Sequence, residues 1–168
     1  MAVTSHLLEF KNMDNSVLGN VSIESGVLGV GDPTLQIPDG LNPDLWLKHI
    51  KDGNAACCDT GGDGTFGIII RTSEDSLDLL PEEGEKISSL SSPILINVPS
   101  GKIIVADMCD LEPQVSNIQY SIDPGIYECM IHMCDNEPKE FLGFVIVLKK
   151  SEATEARNDK VWEIEQLG

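Results

Sequence analysis

Two stretches of sequence decide the fold: VSIESGVLGVGD at residues 21–32 and INVPSGKIIVAD at residues 96–107. In each, a run rich in Val and Ile leads to a Ser-Gly pair, a second apolar run follows, and an Asp ends the stretch. β-branched residues favour strands, and Gly supplies the backbone freedom of a tight turn. Each stretch therefore predicts two strands joined by a Ser-Gly turn, with Asp32 or Asp107 accepting backbone N–H bonds in the turn that follows.

The similarity continues along the chain at an offset of 72 to 78 residues. Cys57 corresponds to Cys129, and a glycine inside an apolar run occurs at both Gly67 and Gly143. Ordered landmarks of this kind indicate an internal duplication. The alternative is two β-hairpins that use similar turn chemistry.

The predicted fold class is mostly β, with two diverged copies of a unit of about 75 residues forming a β-sandwich or a barrel-like assembly. The predicted strands cover residues 20–24, 27–31, 54–58, 66–72, 94–98, 102–107, 126–134 and 141–149, with further strands at 7–11 and 161–164. One short helix is predicted near residues 42–52, because Asn42 is a capping residue, Pro43 suits the first turn and Gly53 ends the pattern.

The predicted domain organisation is a first unit at residues 1–74, an acidic linker at 75–92 and a second unit at 93–168, with one compact domain as the alternative. The run EDSLDLLPEEGE at residues 74–85 contains six acids and no base. Such a run is typical of a solvated segment, here tethered to the core by Leu77, Leu79 and Leu80.

Charge restricts the classes of partner. The chain has 28 acidic and 11 basic residues and a formal charge of −17, which repels nucleic acid and anionic lipid and attracts basic protein surfaces. The alternative is that the charge serves only solubility. No apolar run approaches the ~20 residues of a membrane-spanning helix, and the first residues lack the pattern of a secretory signal, so we expect a cytoplasmic protein.

The residues that carry chemistry form no recognised motif. Five cysteines, an odd number, fit a reducing compartment. Cys129, His132 and Cys134 with Cys109 lack the spacing of a zinc site, so we predict no metal and no cofactor. No nucleophile motif is present, and we predict a protein that is not an enzyme. Were there a catalytic pair, it would join Cys58 or Cys129 to His132 and Asp107.

The glycine-rich run DTGGDGT at residues 59–65 has two interpretations. Its oxygens suit Ca²⁺, although the EF-hand pattern is missing. Asp63-Gly64 between two strand-like segments favours a hairpin turn with Gly64 at positive φ, which is the interpretation we prefer.

The pattern from Ser100 to Asp107, followed by Asp-Pro-Gly-x-Tyr at residues 123–127, resembles a motif of uncharacterised bacterial β proteins. That motif has a G-x-L-x-V-x-D-P segment followed by P-x-G-x-Y-x-V. The first copy has Asp32-Pro33 but no matching Tyr, and the second has Met108 in place of the Pro. The resemblance implies a β fold and assigns no site. Some related small proteins are found beside bacterial toxins, which favours an immunity role in a bacterium or phage.

Two functional hypotheses follow. The first is a non-catalytic acidic immunity or inhibitor protein that blocks a basic surface of a toxin or nucleic-acid-acting enzyme. Its predicted partner-binding residues are Asp75, Asp78, Glu82, Glu83 and Glu85. The alternative is a small-ligand or Ca²⁺-binding module with its site between the two copies, lined by Trp46 and Tyr127. The first hypothesis predicts a basic protein partner. Under both hypotheses we expect the protein to bind neither nucleic acid nor a membrane. The oligomeric state stays open.

Overall fold

The structure is a computed structural model that describes residues 17–35, 42–110 and 118–168. The fold is mostly β, as predicted, with two sheets that pack as a sandwich-like assembly and, over the described residues, do not close into a barrel. None of the helices within these ranges is long and apolar enough to cross a membrane.

The larger sheet, sheet A, consists in the described residues of β1 (Val17–Ile23), β4 (Gly64–Thr72), β5 (Glu85–Ser89), β6 (Ile94–Val98), β9 (Gly125–Asn136) and β10 (Phe141–Lys150). The strand order is β1-β4-β10-β9-β5, and β6 pairs with the same edge of β9 as β5 does. All neighbouring strands are antiparallel except β4 and β10, which run parallel.

The smaller sheet, sheet B, is antiparallel and has the order β3-β2-β7-β8. Its strands are β2 (Val27–Gly31), β3 (Ala55–Asp59), β7 (Lys102–Asp107) and β8 (Ile118–Ser121). The main core lies between the sheets and includes Val30 and Val105 from sheet B and Ile70 and Phe144 from sheet A. Each half of the chain contributes strands to both sheets, so the two halves share one core.

The α-helix in the described part of the chain, α1 (Pro43–Lys51), packs on the sandwich through Trp46 and Ile50, which are fully buried. The Asn42 side chain accepts hydrogen bonds from the backbone N–H groups of residues 44 and 45, and Gly53 follows the helix with φ of 75°. The helix prediction at 42–52 is confirmed.

Two buried carboxylates join the halves reciprocally. Asp107, at the end of β7, accepts bonds from the backbone N–H groups of Glu24 and Ser25 and from the Ser25 hydroxyl, each at 2.7 Å. Asp32, after β2, accepts bonds from the N–H and hydroxyl groups of Ser100 at 2.7 and 2.8 Å. Each carboxylate also accepts an N–H from the turn that follows it, as predicted. Each Ser-Gly turn is thus fixed by an Asp from the other half.

The strand pairing repeats in part. In the first half β1 pairs with β4 and β2 with β3, and in the second half β6 pairs with β9 and β7 with β8. This scheme makes β9 the counterpart of β4. The sequence match of Cys57 to Cys129 is therefore wrong as a structural correspondence, because β3 and β9 lie in different sheets. Gly67 and Gly143 are not equivalent positions but direct partners across β4 and β10. The duplication itself stays a prediction.

Three local predictions fail. Residues 59–65 do not form a hairpin, since β3 and β4 belong to different sheets. The positive φ predicted for Gly64 is confirmed, at 155°, but Gly64 begins β4 instead of forming a turn. Residues 161–164 form no strand; Gln166 makes an isolated bridge to Asp59 instead. The predicted linker contains β5, which is part of sheet A. The strand predicted at residues 7–11 lies outside the described residues.

Candidate partner-binding surface

The acidic segment, residues 74–85, crosses the face of sheet A that is turned away from sheet B. Leu77 and Leu79 pack there against a small apolar cluster, as the sequence predicted for these two residues. The cluster consists of Ile69, Cys134, Phe141, Val145 and Val147. Apolar contacts therefore fix the segment to the sheet and leave its other side free for charge.

A buried ion pair holds the segment more firmly. The Arg71 side chain, which is 4% exposed, donates from Nε to Glu83 Oε2 at 2.7 Å and from Nη2 to Glu83 Oε1 at 2.9 Å. Arg71 Nη2 also donates to the Asp78 carbonyl at 3.0 Å, and Glu83 Oε1 accepts from the Leu80 N–H at 2.8 Å. Paired, bidentate geometry offsets the large cost of burying two charges.

Further side chains of sheet A bind carbonyls of the same segment. His132 Nε2 lies 2.7 Å from the Leu77 carbonyl, and its Nδ1 lies 2.6 Å from Ser89 Oγ. Burial lowers the pKa of His132, so the ring is neutral near pH 7, donates from Nε2 and accepts the Ser89 hydroxyl at Nδ1. Asn136 Nδ2 donates to the Glu82 carbonyl at 2.9 Å.

These anchors bring acids from distant parts of the sequence together. Glu85 pairs with Asp135 across β5 and β9, and both line a cleft of about 500 Å³ with Glu137. Pro81 also lines this cleft, and Glu82 follows it in the chain. We call Glu82, Glu85, Asp135 and Glu137 the acidic rim. Glu82, Glu85 and Glu137 are exposed and Asp135 is half-buried. The carboxylates of the rim can bind cationic groups of a partner.

The predicted partner-binding residues divide into two groups. Asp75, Asp78, Glu82 and Glu85 are exposed, so they are able to reach a partner. Glu83 is 0% exposed and paired with Arg71, and its interpretation as a solvated or partner-binding acid is wrong. Asp135 and Glu137 were not predicted from the sequence. The signal that would have found them is the register of β9, which no local pattern reveals.

The two aromatic residues proposed as a ligand site do not share a cleft. Trp46 is fully buried on α1. Tyr127 is 4% exposed and lines a cleft of about 510 Å³ whose lining does not include Trp46. The Tyr127 hydroxyl donates to the Asp123 carbonyl at 2.6 Å, which is a structural role.

The groups considered for catalysis are either protonated thiols or side chains whose hydrogen bonds hold the fold. Burial raises the pKa of Cys57 to about 12 and the pKa values of Cys58 and Cys129 as well, which keeps these thiols protonated. His132 binds the acidic segment and Asp107 fixes the Ser25 turn. The hypothetical pairing of Cys58 or Cys129 with these two residues is therefore not assembled.

The run at residues 59–65 uses its polar groups internally. Asp59 Oδ1 accepts the Gly61 N–H at 2.7 Å, and Thr60 Oγ1 donates to the Gly62 carbonyl at 2.6 Å. Among the residues that the structure describes, no group of three or more His, Cys, Asp or Glu side chains is arranged to hold a metal ion.

No protein-family model matches the chain, and no curated protein matches its sequence. Two solved structures share the fold. ComJ from Bacillus subtilis, described as the inhibitor of the DNA-degrading activity of NucA, superposes with a TM-score of 0.55 at 13% identity, over 80% of this chain and 96% of ComJ. The protein described as Crocagin biosynthetic gene J superposes with a TM-score of 0.57 at 14% identity, over 82% and 97% of the two chains.

Proposed function

We propose that this protein is a non-catalytic inhibitor of the immunity type, which binds a basic surface of a nucleic-acid-acting enzyme. The observation that carries the proposal is the acidic rim, together with exposed Asp75 and Asp78 on the anchored segment. The fold it shares with ComJ, described as an inhibitor of a DNA-degrading activity, supports the same function.

Charge complementarity would drive the binding. An enzyme that acts on nucleic acid presents cationic side chains to phosphates. A surface of carboxylates competes for those side chains, and the net charge of −17 accelerates encounter with a positive partner. Binding then blocks the enzyme without any chemical step by the inhibitor. The protonated, buried cysteines are in keeping with that role.

The test is an inhibition assay on purified nucleases, beginning with NucA and including any nuclease encoded beside this chain's gene. We expect one of them to lose activity when the protein is added in equimolar amount. The association rate should fall as salt rises, because exposed charges are screened within about 10 Å at 0.1 M. Failure to inhibit any nuclease of the panel would refute the function.

A matched pair of variants locates the surface. Glu82→Gln with Glu85→Gln removes two charges of the rim, whereas Glu152→Gln with Glu155→Gln removes two exposed charges elsewhere. Both change the net charge equally. The rim variant should slow association at low salt much more than the control does. Equal slowing by the two variants would place the interface away from the rim.

A further inference from the structure

We propose that Arg71 is a positioning residue for partner binding, which fixes the acidic segment in one conformation without touching the partner. The inference rests on the proposed function and adds how its surface is built. Arg71 lies on β4, is 4% exposed and contacts the segment at Asp78 and Glu83. The chain between these two contacts therefore folds around the guanidinium group.

The anchors act on the backbone and not only on side chains. The carbonyls of Leu77, Asp78 and Glu82 each accept a bond from a side chain of sheet A, at 2.7, 3.0 and 2.9 Å. The Leu80 N–H is bound by Glu83, whose carboxylate is in turn held by Arg71. A run of acids without such bonds would repel itself and extend into solvent.

Fixing the segment before binding has a definite consequence for affinity. A flexible acidic segment would attract a basic partner from a distance as well as the anchored segment does. It would, however, lose conformational entropy when it docks. The anchored segment has already lost that entropy on folding. Arg71 is therefore expected to influence dissociation more than association.

The experiment uses the double variant Arg71→Met with Glu83→Met. It removes one positive and one negative charge, so the net charge is unchanged, and it leaves no unpaired charge in the protein interior. The variant and the wild type are compared by hydrogen exchange and by binding kinetics with the nuclease that the panel assay identifies.

We expect amide exchange in residues 77–84 to rise by about tenfold or more, with the β2 and β7 amides unchanged. Dissociation from the nuclease should accelerate by about tenfold, with little change in association. Unchanged dissociation, or unchanged exchange in the segment, would overturn the proposal.

Two further results separate this proposal from the proposed function. Should the double variant fold poorly, Asn136→Ala removes a single anchor to the Glu82 carbonyl without altering charge. It should raise both the amide exchange of the segment and the dissociation rate, but by less than the double variant does. Slower association of the rim variant combined with wild-type behaviour of both anchor variants would refute the positioning role and retain the function. A panel without an inhibited nuclease would refute both.

Discussion

Replacing Asp107 by Asn should destabilise the protein by about 2–4 kcal/mol at pH 7. The Asp107 carboxylate is 3% exposed and accepts four bonds, two N–H groups at one oxygen and the Ser25 hydroxyl and Cys109 N–H at the other. An Asn amide keeps one oxygen for Glu24 and Ser25 and turns its NH₂ toward the other pair. The Ser25 hydroxyl can reverse and accept, but the bond from the Cys109 N–H to the side chain of residue 107 is lost.

The estimate follows from these changes. Hydrogen bonds to a charged group contribute about 1.5–3 kcal/mol each and neutral ones about 0.5–1.5. Three bonds therefore weaken by about 1–1.5 kcal/mol each, and one of about 1.5–3 kcal/mol is lost outright. A neutral amide costs less to bury than a carboxylate, which offsets part of this sum and leaves about 2–4 kcal/mol. Urea titration of wild type and variant measures the difference, and Asp63→Asn in an exposed loop is the matched control, expected to shift stability by no more than about 0.5 kcal/mol.

The loss should also depend on pH. Burial raises the pKa of Asp107, but the bonds from Cys109, Ser25 and Glu24 outweigh it and bring the pKa below its ordinary value of 3.8. A lowered folded pKa contributes stability that is present above 3.8 and is lost as the pH falls through the folded value. The difference between wild type and variant should therefore shrink below pH 3.8. A difference in stability under about 0.5 kcal/mol at pH 7, or one that grows in acid, would show that the charged Asp107 does not stabilise the fold in this way.

Three other outcomes follow from the structure. Glu83→Gln should lower the free energy of unfolding, measured by urea titration, by about 3–5 kcal/mol, because it leaves Arg71 buried without a counter-charge. Glu82→Gln should lower it by no more than about 0.5 kcal/mol. Equal losses of stability in the two variants would contradict the buried ion pair. Gly61→Ala should lower stability by about 1 kcal/mol, since Gly61 has φ of 82°, and an unchanged melting temperature would count against that conformation. Exposed Cys109 should react with a thiol reagent at pH 8 well before Cys134, because burial raises the pKa of Cys134 to about 12. Mass spectrometry of the labelled protein measures the order of labelling, and earlier labelling of Cys134 would contradict this prediction.

The elements predicted correctly are those that are determined by residues close together in the chain. The Ser-Gly stretches formed β2 and β7 at the predicted residues, and the capped helix formed at Pro43–Lys51. The Asp-Gly pair at 63–64 led to the wrong prediction of a hairpin. A turn signal indicates a change of chain direction, but it does not indicate which sheet the next strand joins. The fully buried run Ala55–Cys58 pairs with β2 instead.

The candidate surface was only half predictable. The acidic run identifies Glu82 and Glu85 by composition. Glu83 carries the same local signal but is buried, because its partner Arg71 lies twelve residues away on β4. Asp135 and Glu137 enter the rim through the pairing of β5 with β9. Register between strands separated by about 50 residues is a tertiary property, and a single sequence does not contain it in readable form.

Inhibition of a nucleic-acid-acting enzyme by this protein should be stoichiometric and driven by charge. A titration of the inhibited nuclease with this protein tests this, following DNA degradation at enzyme concentrations well above the dissociation constant. We expect a linear fall in activity that ends at a fixed molar ratio and is relieved by raising the salt concentration. Complete loss of nuclease activity at far less than equimolar protein, or loss that salt does not relieve, would contradict it.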